Sequence, residues 1–544
     1  MRFRNKAPND KRTTKCRNGK LKNLVSAWEQ RFMSISPTSS LITLGATVNA
    51  PALPVNKTVE PTASPLVIQD SPSTQVSLGA FENSAPTYRK PSTEITYLRY
   101  QQQTGIVAGA LSQQLLNEWS MFRNDRAHSF RAGSFLSQVG ALSAEISHFR
   151  NEARNFSVPG DIAAEKFSPD FSALVGKRRE SFLLTIHTKE GDDITVRMTR
   201  RQGPGGESLE FAFDVVGELS ESEQQALDKL ASKLGEVADE FFRTGKAELR
   251  GLAAFDDANI QSFKLELSKP NGDVYDTLNY DYTFDETTQT RRLRGEDVAG
   301  YQFDITAHVN GILQTDRATA QQTIEQYLDL IRRAGDARGT ESASVRFMLD
   351  GLRSVLLLDE LTLPTSSPAE KSLPDEFHTG LPDFTASFRA TTTYNPENRT
   401  QVSAMNLTMG QTTRAETDGA RFLLQQESFY ELHSSYFKPL PWLEAADFAN
   451  GNYVYVNEHE SGKTTRTLDM SAGDVDSLLI EREKTHDILE RFYQNFAEID
   501  RHEDHQKERT LENLVDRLSS TESNEIRQQN LLALLKESRF NLFE

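Results

Sequence analysis

The feature that most constrains this chain is an alternation of apolar and polar residues with a period of two, repeated between residues 180 and 310. In SFLLTIHTK, Phe182, Leu184 and Ile186 fall on one side. After the turn EGDD, ITVRMTR returns with Ile194, Val196 and Met198, and SLEFAFDVV adds Leu209, Phe211, Phe213 and Val215. Successive strand side chains point to opposite faces, so such runs fold as antiparallel strands with one face buried and the other solvated. One run of helical period interrupts them. In SESEQQALDKLASKLGEVADEFFRTG, Ser220 and Glu223 have the spacing of a capping box. Leu227, Leu230, Leu234, Val237 and Phe241 form a stripe, and Gly245 supplies a stop. Strands then resume with Phe263, Leu265 and Leu267 before an Asn271-Gly272 turn. Leu278, Tyr280, Tyr282 and Phe284 follow, and then Tyr301, Phe303, Ile305, Ala307 and Val309. A meander carrying an inserted amphipathic helix predicts an α+β fold.

Within this region, FAFDVVGELSESEQQALDKLASKLGEVADEFFRTG and the following IQSFKLELS combine Gly-Glu-Leu, an acidic helix, Asp-Glu-Phe-Phe and a short apolar strand. Residues 211–268 thereby resemble a module found in uncharacterised proteobacterial proteins of unknown function. The resemblance implies a bacterial origin and carries no catalytic residue across.

The remaining periodicities predict the organisation. Ile106, Leu111, Leu115, Trp119 and Phe122 predict one helix. Phe135, Val139, Leu142, Ile146 and Phe149 predict a second, ending before Pro159. Two more carry Ile324, Tyr327, Leu328 and Ile331, capped by Thr315, and Val345, Met348, Leu349, Leu352 and Val355. The proline-rich 362–382 stretch reads as an interdomain linker between a first α+β module at 96–361 and a second β module at 383–470, the latter built from DFTASFRATTTY, TQVSAMNLTMG and RFLLQQESFYELH. Residues 471–544 read as C-terminal helices. The first, from Asp474 to about Arg517, would be roughly 65 Å long at about 1.5 Å per residue. Val475, Leu479, Leu489, Phe492, Phe496 and Ile499 stripe one half of it, and Leu511, Leu514, Val515 and Leu518 the other, around a polar decade from Arg501 to Thr510. That interruption predicts a projecting, coiled-coil-like helix that assembles with a protein partner or a second copy, with Leu531, Leu532, Leu534 and Leu535 covering it or binding elsewhere.

The N-terminal stretches differ from this. Residues 1–32 hold ten Lys or Arg against two acids, whereas the rest of the chain holds 51 bases against 76 acids, a balance of −25. So acidic a body disfavours nucleic acid as a partner, leaving only the basic arm able to bind it. The arm lacks the apolar core of a secretory signal, and Met33 is a plausible true start. Residues 33–95 are rich in Ser, Thr and Pro and are expected to be disordered. Their beginning is also similar to the uncleaved signals of flagellar or type III export substrates, so export stands beside a cytoplasmic location. No run of about 18 apolar residues predicts a membrane span. The single cysteine, Cys16, leaves the body without disulfides, thiolate metal sites or a cysteine nucleophile.

Four segments invite a chemical reading. Gly462-Lys463-Thr464-Thr465 suggests a phosphate loop, but Asn457 stands where that loop requires its first glycine, and the flanks read as a hairpin with Ser461-Gly462 at its tip. Gly203-Pro204-Gly205-Gly206 joins two strands and so is no dinucleotide fingerprint. Glu145 with His148, and Glu483 with His486, place carboxylate and imidazole on one face of an expected helix, as in di-iron bundles. With ten histidines and so many glutamates, two such pairs are close to chance. His502 and His505 could share a helical face with Glu498. No cofactor or metal site is assigned from these, and no catalytic residue emerges. The expectation is a non-enzymatic protein acting through protein contacts. The alternatives are a hydrolase with a dispersed, motif-free site and an exported substrate.

Overall fold

The computed structural model describes residues 93–99, 105–124, 129–158, 179–203, 206–246, 249, 259–308, 317–336, 342–356, 373–518, 524–539 and 542–543. The basic arm, residues 33–92 of the proline-rich segment and the expected Thr315 cap lie outside them. Their strands form one antiparallel sheet of fifteen. In chain order these are β1 (Thr93–Arg99), β2 (His148–Val158), β3 (Arg179–Thr188), β4 (Asp193–Gly203), β5 (Gly206–Val216), β6 (Ile260–Asn271), β7 (Val274–Asp285), β8 (Thr290–Glu296), β9 (Gln302–His308), β10 (Phe384–Tyr394), β11 (Val402–Asp418), β12 (Arg421–Lys438), β13 (Tyr453–Ser471), β14 (Asp474–Gln494) and β15 (Ala497–Asn513). Across the sheet the order is β1-β2-β5-β4-β3 and then β6 to β15 in sequence.

One register row shows how the alternation becomes a core. Phe149, Phe213, Val196, Leu184, Leu265, Tyr280, Gly295, Phe303, Phe388, Leu407 and Leu432 stand opposite one another from β2 to β12. All are buried. Each large apolar side chain so buried contributes about 1.5–3 kcal/mol. Helices cover this face: α1 (Ile106–Asn124), the short α2 (Gly133–Leu136) and α3 (Val139–Glu145), α4 (Glu221–Thr244), α5 (Arg317–Asp336), α6 (Ala343–Leu356), α7 (Leu373–Phe377) and α8 (Asn524–Arg539). The capping box and the left-handed stop of α4 form as expected: Ser220 Oγ accepts from the Glu223 N–H, and Gly245 has φ 75°. The neighbouring row on the opposite face, from His148 through Asp214, Thr195, Thr185, Lys264, Asp281, Arg294 and Asp304 to Lys507, is polar in every strand. Among the described residues no helix lies over that face, and no helix is long and apolar enough to cross a membrane.

Several expectations are corrected. The strands do not form two β modules, because β9 pairs with β10 from Ala307↔Phe384 to Gln302↔Arg389 and the sheet runs across the supposed linker. Within 362–382, α7 buries Leu373 and Phe377. The second N-terminal helix ends at Glu145, and Phe149 lies on β2 opposite Phe213. The larger correction concerns the C-terminus. Residues 474–513 are the strands β14 and β15, so the projecting helix proposed for assembly does not exist. The nineteen-residue β13 leaves a long row of backbone N–H and C=O groups that must find partners, and β14 satisfies them along its length. Two-residue turns close both hairpins, with positive φ at Ala472 and Gly473 and at Asn495 and Phe496, as the twist-matched hairpin turn requires. The polar decade Arg501–Thr510 is exposed on β15, at the sheet edge, where charges discourage pairing with another chain. Among the described residues after β15, α8 and a 3-10 turn, Leu514–Arg517, are helical. Leu531 and Leu535 of α8 pack with Leu424, Leu468, Leu478, Ile480 and Leu514 in a second small core.

Candidate functional site

The same register explains which polar side chains meet. Residues two apart on a strand share a face, and the residue directly opposite on the next strand lies beside them. On the uncovered face, β12 presents Glu431 and His433, and His433 stands opposite His459 of β13. His459 stands opposite Asp487 of β14, and Asp487 opposite His505 of β15. Glu431 Oε1 lies 3.0 Å from His433 Nε2 and 3.3 Å from His459 Nε2. The two imidazole rings stack at 4.3 Å and 7°, so their Nε2 atoms turn together toward that carboxylate. The other nitrogen of His459, Nδ1, lies 3.4 Å from Asp487 Oδ2, and the second Asp487 oxygen is held by His505 Nδ1. The bond to His505 holds the Asp487 carboxyl below the ordinary aspartate value; desolvation opposes it, and the bond to His459 adds to the lowering.

His433, His459, Asp487 and His505 line a groove of about 950 Å³ that also includes Arg389, Asn406, Asn457 and Glu503. Arg389 links it to a second groove of about 520 Å³ floored by Lys264, Asp281, Arg294 and Asp304. There the charges pair across strands, Arg292 with Asp304 at 2.6 Å and Arg294 with Asp281 at 2.9 Å.

The residues singled out from sequence lie elsewhere or play other parts. Glu145 and His148 do not converge on a metal. Glu145 accepts the N–H groups of Ile106, Val107 and Ala108 at the start of α1, and His148 pairs with Asp214. Glu483 and His486 lie three apart on β14 and therefore face opposite sides. Glu483 is 3.3 Å from Arg509, and His486 is 2.8 Å from Glu458 on the helix side. His502 and His505 are divided in the same way, and Glu498 takes Arg501 and Tyr493 instead. Gly462 is not a hairpin tip: it lies inside β13, paired with Tyr430 and Lys484, and strand continues on both sides of it. Gly203 and Gly206 pair as the ends of β4 and β5, with 204 and 205 outside the described residues. The Glu431-His433-His459 cluster went unread, although both of its strand segments carry alternation and Glu431 and His433 have the spacing that puts two side chains on one strand face.

Fold and site together define a class: a one-sided antiparallel sheet protein, helices on one face and, on the other, a groove that no described helix covers, lined by histidine and carboxylate side chains among apolar ones. Against known proteins, the chain matches no family model, and no curated protein or solved structure is significantly similar to it.

Proposed function

We propose that this chain is a bacterial binding protein that engages a protein partner through the polar face of its sheet, without catalysing a reaction. One observation carries the reading: on the face opposite the helices a register row from His148 on β2 to Lys507 on β15 is polar in each strand it crosses, two joined grooves open on that face, and no helix among the described residues covers it. A surface of this kind, with interspersed charges of both signs, suits complementary recognition of a polar partner surface, in which charges govern register and association rate. The bacterial assignment rests on the resemblance of residues 211–268.

The test reverses charge on the two faces separately. A variant carrying Arg294→Glu and Arg389→Glu on the grooved face is compared with one carrying Arg332→Glu on α5, each as bait in a bacterial lysate with cross-linking. A partner retained by the native chain and by the α5 variant but lost by the groove variant supports the reading. Retention by all three, or robust turnover in a substrate screen abolished by a single groove substitution, overturns it. The second outcome would favour a hydrolase, for which the convergence of His433, His459, Asp487 and His505 on the groove floor is the specific argument.

A further inference from the structure

We propose that Glu431, His433 and His459 form a binding site for a first-row divalent transition cation of the zinc type. Their three donor atoms lie within 4.8 Å of one another. Ligands at about 2.0–2.2 Å from such a cation are themselves separated by about 2.8–3.6 Å at octahedral to tetrahedral angles. The carboxylate-to-imidazole distances of 3.0 and 3.3 Å fall in that range. Two imidazoles and a carboxylate are a donor set that zinc and its neighbours accept and that magnesium and calcium, which take oxygen, do not.

Beyond the three ligands, His459 can donate Nδ1–H to Asp487, which leaves the Nε2 lone pair free for the cation. Carboxylate partners of this kind fix the tautomer of metal-bound histidines. Asp487 is itself anchored by His505 on the edge strand. It is thus a positioning residue, and the row His459, Asp487 and His505 gives an otherwise solvated edge a reason to carry histidine. The side chains of Glu431 and His433 are about half exposed, at 53% and 54%, and His433 lines the groove. Three protein ligands on an open surface leave coordination positions for water or for a donor from a bound partner. The competing account is a salt-linked network without metal, in which both nitrogens of His459 carry protons toward Glu431 and Asp487.

The experiment uses the untagged full chain, stripped with a chelator and titrated with Co²⁺ by visible absorption and with Zn²⁺ by competition. The expected result is saturable binding of one cation per chain. Affinity should fall by about tenfold or more in His433→Ala and His459→Ala, and also in Asp487→Asn, as loss of a carboxylate behind a ligand does. His486→Ala and His502→Ala, which alter the opposite face, should leave it unchanged. Cys16→Ser should also leave it unchanged, which excludes the thiol. Glu431→Gln keeps shape and hydrogen bonding but loses the anionic ligand. It should weaken binding with unchanged far-UV circular dichroism, so misfolding of an alanine variant cannot be mistaken for loss of the site. Absence of saturable binding, or equal affinity across all variants, overturns the proposal.

Discussion

Replacing Gly462 with alanine sets two effects of opposite sign against each other. Gly462 lies inside β13 and does not adopt the left-handed region, so its backbone does not require glycine. On that ground alone alanine would stabilise the strand by about 0.5–1 kcal/mol. A Cβ at this position, however, would lie 2.2 Å from Tyr430 Cε1 and 2.9 Å from Tyr430 Cζ. The ring cannot swing aside: Tyr430 is 2% exposed, its hydroxyl donates to Glu460 at 2.7 Å, and Phe543 stands edge-on at 5.0 Å. Overpacking a closed site costs about 1–3 kcal/mol, which outweighs the backbone gain over most of that range and leaves a net loss of up to about 2.5 kcal/mol. Urea unfolding followed by tryptophan fluorescence and circular dichroism should show a lowered midpoint with an unchanged slope. In a Tyr430→Ala background the same Gly462→Ala change should become neutral or stabilising. A gain of stability in the native background, or equal effects in both, would refute the reasoning, since the coupling belongs to the Gly462–Tyr430 contact.

Two further outcomes follow from single contacts. Burial, helped by Arg466 and opposed by Asp375, holds His378 down to about 4. The unfolded chain therefore takes up this proton first as pH falls, and the stability present above an ordinary imidazole value of about 6.5 is lost down to about pH 4, by up to about 3 kcal/mol. Urea midpoints across that window should fall less steeply in His378→Gln than in the native chain. Glu145→Ala removes the carboxylate that accepts the N–H groups of Ile106, Val107 and Ala108 at 3.0 to 3.2 Å. Loss of such a cap costs about 1 kcal/mol and should speed hydrogen exchange of those first-turn amides without affecting α4.

Legibility in the sequence tracked how one-sided each element's environment is. Runs such as Leu278, Tyr280, Tyr282 and Phe284, buried on one face and solvated on the other, announce themselves, and so does α4, whose caps are local. β8 carries Arg291, Leu293 and Gly295 on its inward face, so a single apolar residue marks it and no alternation shows. β14 and β15 are hard to read as strands because, beyond Leu478 and Ile480, their sides are polar or only half-buried. Without an apolar alternation, a composition rich in Leu, Glu, Lys and Arg favours helix, and only the unpaired edge of β13 makes the segment a strand. The histidine spacings failed for the same reason: separations of three share a face on a helix and are split in a strand. The Glu431-His433-His459 cluster needs the β12–β13 register to bring together residues twenty-six apart, yet Glu431 and His433, two apart within a segment that alternates as a strand, were the visible half of it.

The place of that cluster follows from the arithmetic of the sheet. From β2 to β12 the inward row is apolar and helices rest on it, so alternation there is committed to burial on one side and solvation on the other. Past β12 the same row turns polar, continuing as Glu460, His486 and Gln506, because the strands run on beyond what the core requires. β13 and β14 still bury a face elsewhere along their length, Leu468, Leu478 and Ile480 under α8 and Val454 and Val456 with Leu440, whereas at this row the backbone ladder holds the strands together. The grooved side of that extension is where Glu431, His433, His459, Asp487 and His505 converge. The register of β12 with β13, β14 and β15 sets their positions, and the polar character of the extension leaves histidine and carboxylate side chains free to meet there.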